Sequence, residues 1–477
     1  MRDLEIKSYT IDRGKKMKSK IAKALSLIFI VNLFLSIPSF KVQAADYWPS
    51  SVSVTAESAI VMEQETGTIL YEKNMDDVHY PASITKIMTA LIVLENCDLD
   101  ETVTFSAEAV YGTELGSSSI ARDVNEEMTV EQTLYGMMLE SANECAYALG
   151  EHVAGDMDSF VDMMNEKAKE LGCKNTHFNN SNGLPDEEHY TSAYDMALIS
   201  RAAFAIPKFA EIVGTKSYTI PPTNKHSEAT MLNNHHCMLH YYKTNQYLYD
   251  YCLGGKTGYT VVAGATLVTY AKKDGMTLVC VVMKDQTGQQ YVDTTNLFEY
   301  CFDNFSKYNV SDFASISEEN TDVTGILSEK SELIKIDDKG LIVIPKAASV
   351  LDVTSTVVPY SDESNSSIVG QLRYTYADRS VGYANLLFTN AETGSYPFDN
   401  LPVEQGGSGK EYIQVDYPKI GLVILCIIAV IALVFFIKSK SSNILLYRHR
   451  FKERHAKPAK TNMTIIRDNG KRRKRRR

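Results

Sequence analysis

Apolar residues are distributed along this 477-residue chain in several distinct rhythms. Between Tyr47 and Phe305, short apolar runs such as Ser58-Ala59-Ile60-Val61-Met62, Ala265-Thr266-Leu267-Val268 and Leu278-Val279-Cys280-Val281-Val282 predict strands. Helical spacing over Ile87 to Leu94, Thr129 to Leu139 and Met157 to Leu171 predicts helices between them. The mixture predicts an α/β (α+β) domain over 45–306, with a central antiparallel sheet packed by helices. Residues 307–329 turn polar and rich in Ser, Asp and Glu, as a linker would. Leu341-Ile342-Val343-Ile344, Ser355-Thr356-Val357-Val358 and Gln371 to Tyr376 then predict short strands of a small all-β module over 330–405.

Two further apolar runs have a different character. Lys15, Lys16, Lys18, Lys20 and Lys23 precede an apolar stretch from Ala24 to Leu35 that ends in Val42-Gln43-Ala44. That order predicts a signal peptide over 1–44, and an uncleaved N-terminal anchor is the alternative. Export follows from both. Gln405-Gly406-Gly407-Ser408-Gly409 opens a flexible joint over 406–419. The uncharged run from Ile420 to Ile437 then has the length, about 18 residues, of a short transmembrane helix. The tail 438–477 is basic and ends in Lys471 to Arg477. The bias of positive charge toward the cytoplasm places it inside the cell and the preceding domains outside.

Composition agrees with a globular, exported protein: 44% of residues are hydrophobic and 23% charged. The net charge of −10 conceals an asymmetry, because basic residues concentrate in the two ends and leave the middle acidic. An acidic exported part argues against nucleic acid as a partner, and the terminal basic run suits topology or anionic lipid. Cysteines stand at 97, 145, 173, 237, 252, 280 and 301, with Cys426 in the apolar run. An odd exported number and no CxxC pair exclude a disulfide scaffold and a zinc ribbon. His235, His236, Cys237 and His240 fit no common zinc spacing either, and read as loop and packing residues.

The chemistry concentrates in three short motifs. Ser83-Ile84-Thr85-Lys86 heads an apolar helical run, and a spacing of three brings the hydroxyl and amine to one face. Such a pair can serve as nucleophile and base if the lysine's pKa is lowered. Ser141-Ala142-Asn143 follows the Thr129 to Leu139 stretch, and Lys256-Thr257-Gly258 precedes a predicted strand. SxxK, SxN and KTG in this order are the set found in penicillin-binding proteins and class A β-lactamases.

On these motifs the chain resembles the low-molecular-mass penicillin-binding proteins, the serine-type D-alanyl-D-alanine carboxypeptidases, over nearly its whole exported length. Pro81 to Ala90, Asn180-Ser181-Asn182-Gly183-Leu184, Thr191 to Ala197 and Gly255 to Thr260 carry the resemblance further. It implies a serine β-lactamase/transpeptidase-like catalytic domain, no cofactor and no metal. Ser83 would attack the carbonyl between two terminal D-alanines of a peptidoglycan stem peptide, with Lys86 as base. Ser141 would relay the proton to the leaving amine, and Asn143 would orient Lys86 and the substrate amide. Lys256 and Thr257 would hold the terminal carboxylate, while Gly258 lets the backbone approach the substrate. The N–H groups of Ser83 and Tyr259 would form an oxyanion hole. β-Lactams would acylate Ser83 and leave slowly.

The chain departs from the family in two places. Glu144-Cys145 follows Asn143 where Asp-Ala is usual. No arginine occurs between Arg201 and Arg373, although relatives often carry one near the cleft after the position of Met283. Carboxylate recognition is therefore expected to rest on Lys256 and Thr257. A β-lactamase would need a second base, and no Glu-x-x-Leu-Asn segment follows Ser141. The other alternative is a non-catalytic peptidoglycan-binding envelope protein on the same fold.

Overall fold

The computed structural model describes residues 47–112, 114, 116–314, 334–359 and 367–388. The expected signal peptide, the flexible joint, the apolar run 420–437 and the basic tail lie outside the described residues. Among the described residues no helix is long and apolar enough to cross a membrane.

The first part is a five-stranded antiparallel sheet of β1 (Ser58–Glu63), β2 (Ile69–Lys73), β3 (Cys252–Thr260), β4 (Gly264–Lys273) and β5 (Met276–Asp285), in the order β2-β1-β5-β4-β3. Ile60 pairs with Val281 and Gly258 with Thr266. Alternate side chains enter two separate cores. Ile60, Met62, Val268, Val279 and Val281 face one, while Ala59, Val61, Leu267, Leu278, Cys280 and Val282 face the other. Burial on both faces is why these strands are written as continuous apolar runs instead of alternating ones.

The first core is closed by α1 (Lys86–Asn96), α2 (Val130–Leu139), α3 (Asn143–Ala154), α4 (Met157–Glu170) and α5 (Ala193–Phe204), and the second by α6 (Gln289–Asn304). Thr129 begins α2 with a reciprocal cap: its hydroxyl accepts from Gln132 N–H, and the Gln132 side chain accepts from Thr129 N–H. Asp156 caps α4 through Ser159 N–H, and Gly155, at φ 88°, ends α3 just before it.

A second antiparallel sheet follows, of β6 (Phe305–Asn309), β7 (Ile334–Ile336), β8 (Leu341–Pro345), β9 (Thr354–Val358), β10 (Ile368–Tyr376) and β11 (Arg379–Phe388). Its order is β6-β8-β11-β10-β9, with β7 also on β11. The linker expected from residue 307 therefore begins inside a strand: Phe305 to Asn309 pair with Pro345 to Leu341. Phe305 is buried in the second core, and its backbone runs straight from α6 into the new sheet. Polar Lys307 and Asn309 disguised this strand in the sequence. The β10–β11 turn is also unmarked there, because Ala377 and Asp378 adopt φ of 52° and 59° without the usual Asn-Gly.

All described residues belong to one compact unit. Arg379 joins its two sheets, reaching Glu72 at 3.2 Å and lying 4.9 Å over the Trp48 ring.

Candidate active site

Ser83 sits on a single 3-10 turn, Ala82–Thr85, that runs directly into α1. A 3-10 turn eclipses positions three apart, so the Ser83 and Lys86 side chains meet more closely than on an α-helix. Ala82, just before the serine, holds φ at 51°, and Ser141 itself at 62°. Non-glycine residues in the left-handed region cost about 1 to 3 kcal/mol each and cluster at functional sites. Here one aims the nucleophile's turn, and the other forms the corner between α2 and α3.

Lys86 is completely buried and makes three contacts. Its Nζ lies 2.7 Å from Asn143 Oδ1, 2.7 Å from the Asn182 carbonyl oxygen and 3.1 Å from Ser83 Oγ. Two of these partners can only accept hydrogen bonds. An ammonium satisfies all three. A neutral amine keeps two N–H groups for the two obligate acceptors, and its lone pair then faces the Ser83 hydroxyl. Burial, reinforced by the positive charge of Lys256, holds the Lys86 pKa well below that of an ordinary lysine. The pocket thus favours the proton-accepting form and aims it at the nucleophile.

Lys256 and Asn143 are buried as well, and Ser141 stands two residues before Asn143 at the same helix start. Burial alone lowers the Lys256 pKa to about 7, and its Nζ donates to the Thr257 carbonyl at 3.0 Å. Lys256, Thr257, Gly258 and Tyr259 lie on β3, the edge strand of the sheet, so one row of backbone groups is free of strand partners. That edge runs beside the serine turn. A Cβ on Gly258 would stand 2.9 Å from Ser83 N and would strike Thr266 Oγ1. Thr266 Oγ1 in turn donates to the Pro81 carbonyl at 2.8 Å, tying sheet to turn. Tyr259, next along this strand, is 61% exposed.

The structure brings Ser83, Lys86 and Asn143 together and sets Gly258 beside the Ser83 turn. The Asn180 to Leu184 segment carried no role in the sequence reading, yet it supplies the Asn182 carbonyl to Lys86. A carbonyl contributed by the backbone has no side-chain signature, so this ligand of Lys86 was invisible in the sequence.

The Glu144-Cys145 departure from the family pattern is accommodated by packing. Glu144 Oε1 accepts from Ser119 Oγ at 2.7 Å and from Ile120 N–H at 2.6 Å, which ties it to the 119–120 loop. Cys145 is fully buried, and burial raises its thiol pKa well above the ordinary value. After Met283, Lys284 is engaged by Glu57 at 3.1 Å.

The histidine cluster is split. His235 Nε2 bonds Glu140 Oε2 at 2.7 Å, whereas His236 is buried with its Nε2 3.0 Å from Thr269 Oγ1. Among the described residues all seven cysteines are free.

A buried lysine aimed at a serine, beside an edge strand that offers backbone donors and a second lysine, defines an active-serine acyl-transfer site of the penicillin-recognising kind. Comparison with known proteins agrees. The peptidase S11 family model, D-alanyl-D-alanine carboxypeptidase, matches residues 43–287, and the chain belongs to that family of serine peptidases.

It is 34% identical over 266 residues to the D-alanyl-D-alanine carboxypeptidase DacF of Bacillus subtilis (strain 168), covering 54% of this chain and 65% of that one. It is 31% identical over 303 residues to the D-alanyl-D-alanine carboxypeptidase DacA of Haemophilus influenzae, covering 60% and 72% respectively. Among solved structures, penicillin binding protein 5 from Haemophilus influenzae superposes with a TM-score of 0.56 at 26% identity, over 72% of this chain and 98% of that one. The Streptomyces K15 DD-transpeptidase gives 0.50 at 30% identity, over 54% and 100%.

Proposed function

We propose that this protein is a serine D-alanyl-D-alanine carboxypeptidase that removes the terminal D-alanine from peptidoglycan stem peptides. The observation that carries this reading is the triple contact of Lys86 with Asn143 Oδ1, the Asn182 carbonyl and Ser83 Oγ. In the reaction, neutral Lys86 takes the Ser83 proton as Oγ attacks the carbonyl between the two D-alanines. The N–H groups of Ser83 and Tyr259 receive the developing oxyanion, a contribution of about 3 to 4 kcal/mol per donor in such sites. Ser141 passes the proton to the leaving amine, Asn143 holds both Lys86 and the substrate amide, and charged Lys256 with Thr257 holds the terminal carboxylate. D-Alanine leaves, and water hydrolyses the ester at Ser83. A β-lactam offers an amide and a carboxylate in a similar arrangement, and acylates the same serine.

The signal-like N-terminus, the apolar run 420–437 and the basic tail support an exported enzyme held by a single C-terminal span, its active site outside the cytoplasmic membrane. The second sheet, which precedes that run in the sequence, would serve as a stalk or interaction platform. Deleting residues 330–405 with no change in localisation or wall trimming would overturn the platform role.

The test of activity compares the full chain with Ser83→Ala, using a fluorescent penicillin and a peptide ending in D-Ala-D-Ala. The parent is expected to form a long-lived adduct at Ser83 and to release free D-alanine, and the variant to do neither. Labelling without release would favour a binding role, and no labelling would refute the assignment of Ser83.

A further inference from the structure

The segment that gives Lys86 its carbonyl partner is fastened to the nucleophile helix at points the three motifs do not include. Thr89 Oγ1 donates to the Ser181 carbonyl at 2.6 Å, and Lys86 Nζ to that of Asn182 at 2.7 Å. The third fastening is a buried histidine. His189, 1% exposed, places Nε2 2.9 Å from Thr85 Oγ1, the residue between the nucleophile and its base in the SxxK motif.

The ring's protonation is set by its surroundings. The backbone N–H of Asn179 donates to Nδ1 at 3.0 Å, so Nδ1 must accept and the ring hydrogen resides on Nε2. His189 is then a neutral donor to Thr85. Burial, with His177 and Lys86 nearby and only Asp186 opposing them, lowers its pKa to about 3, so this state holds across the physiological range. Phe178 packs edge-on against the ring at 5.6 Å and fixes its plane. The segment has little room to shift, because a Cβ on Gly183 would overlap the Ala82 carbonyl of the serine turn.

We propose that His189 is a positioning residue for acyl transfer: by donating to Thr85 while accepting from Asn179, it fixes the distance between the Asn182 carbonyl and Lys86. It touches no substrate and exchanges no proton. This inference deepens the acyl-enzyme reading given above and rests on it. Its chemical content concerns Lys86, which Lys256 faces from β3 and Glu144 and Cys145 face from α3. Releasing the 180–184 segment would exchange the Asn182 carbonyl for water and undo part of the burial that holds the amine's pKa down. The lysine would move back toward its ordinary basicity, and more of it would stay protonated at neutral pH.

The experiment measures the acylation rate of the full chain by fluorescent penicillin across pH, for wild type, His189→Leu, His189→Gln and Thr85→Val. Leucine keeps volume and removes both hydrogen bonds, whereas the glutamine amide reaches as far as Nε2 with an N–H. His189→Leu is expected to acylate on the order of 10- to 100-fold more slowly at neutral pH, as small misplacements of reacting groups do. The acid limb of its profile should move to higher pH, and His189→Gln should restore both rate and midpoint. Thr85→Val removes the acceptor instead of the donor and should move the midpoint the same way, so the test survives a misfolded leucine variant. A slower rate with an unmoved midpoint, or wild-type behaviour in His189→Leu and Thr85→Val, overturns the inference. A wild-type chain that never acylates overturns the underlying reading instead.

Discussion

Asn143 Oδ1 lies 2.7 Å from Lys86 Nζ, joining the first turn of one helix to the first turn of another across 57 positions of chain. The amide accepts from the lysine in either protonation state, and so orients it without stabilising its charge as a carboxylate would. That distinction gives the first prediction. Asn143→Asp would place an anion beside the amine and raise its pKa. Acylation at neutral pH is expected to fall by about tenfold or more and to recover as pH rises. Stopped-flow acylation across pH would show it, and an unshifted profile would refute the role given to Asn143.

Lys256 carries a stability cost with a defined sign. Its folded pKa of about 7 lies below the ordinary value of 10.5. Between those values the unfolded chain binds more protons than the folded one, so stability rises with pH across that window and the cost is full below it. The slope from such a group approaches about 1.4 kcal/mol per pH unit. Lys256→Met is therefore expected to raise the melting temperature at neutral pH and flatten its pH dependence, while abolishing turnover of the carboxylate-bearing peptide. Thermal unfolding followed by circular dichroism at several pH values checks both.

The same lysine shapes the activity profile. Acylation requires Lys86 neutral and Lys256 charged, so kcat/KM should be bell-shaped. It rises as Lys86 loses its proton and falls as Lys256 loses its own, beginning near pH 7 in the free enzyme. Because a bound carboxylate stabilises the charged form, the alkaline side of kcat should lie at higher pH than that of kcat/KM. Coincident limbs would argue that Lys256 does not hold the carboxylate.

Gly258 tests the approach of β3 to the serine turn. In Gly258→Ala the new methyl would crowd Ser83 N, at 2.9 Å, together with Thr266. Overpacking of this kind costs about 1 to 3 kcal/mol. Here it would be relieved by moving the oxyanion donors apart. Acylation should fall far more than stability, and paired measurements of adduct formation and melting temperature would separate the two.

Cys145, two residues past Asn143, is expected to be inert. It is fully buried, and burial raises its thiol pKa well above the ordinary value. Iodoacetamide mapped by mass spectrometry should modify it only in unfolded protein, while penicillin labelling continues unchanged. Modification in the native state would show that the α3 start opens.

The chain's own pattern determined a good deal of this. The apolar runs of β1 and β5, the helical spacing of α1 and α4 and the order SxxK, SxN, KTG are local properties, legible because burial on two faces and helical periodicity are written into neighbouring residues. Three strands of the second sheet were legible as well, from short runs of β-branched, aliphatic and aromatic residues. The strand from Phe305 and the hairpin strand Arg379–Phe388 were not, since one is masked by polar residues and the other follows a turn of Ala377 and Asp378 in an uncommon conformation.

What only the tertiary structure decided is the electrostatic state of the site. The carbonyl of Asn182, the donor His189 and the burial that lowers Lys86 and Lys256 arise from segments far apart in the chain. The sequence named the nucleophile and its base from side-chain identity, but a lysine becomes a base through the water it loses and the acceptors it meets. Those are consequences of packing, and packing is not encoded at any single position.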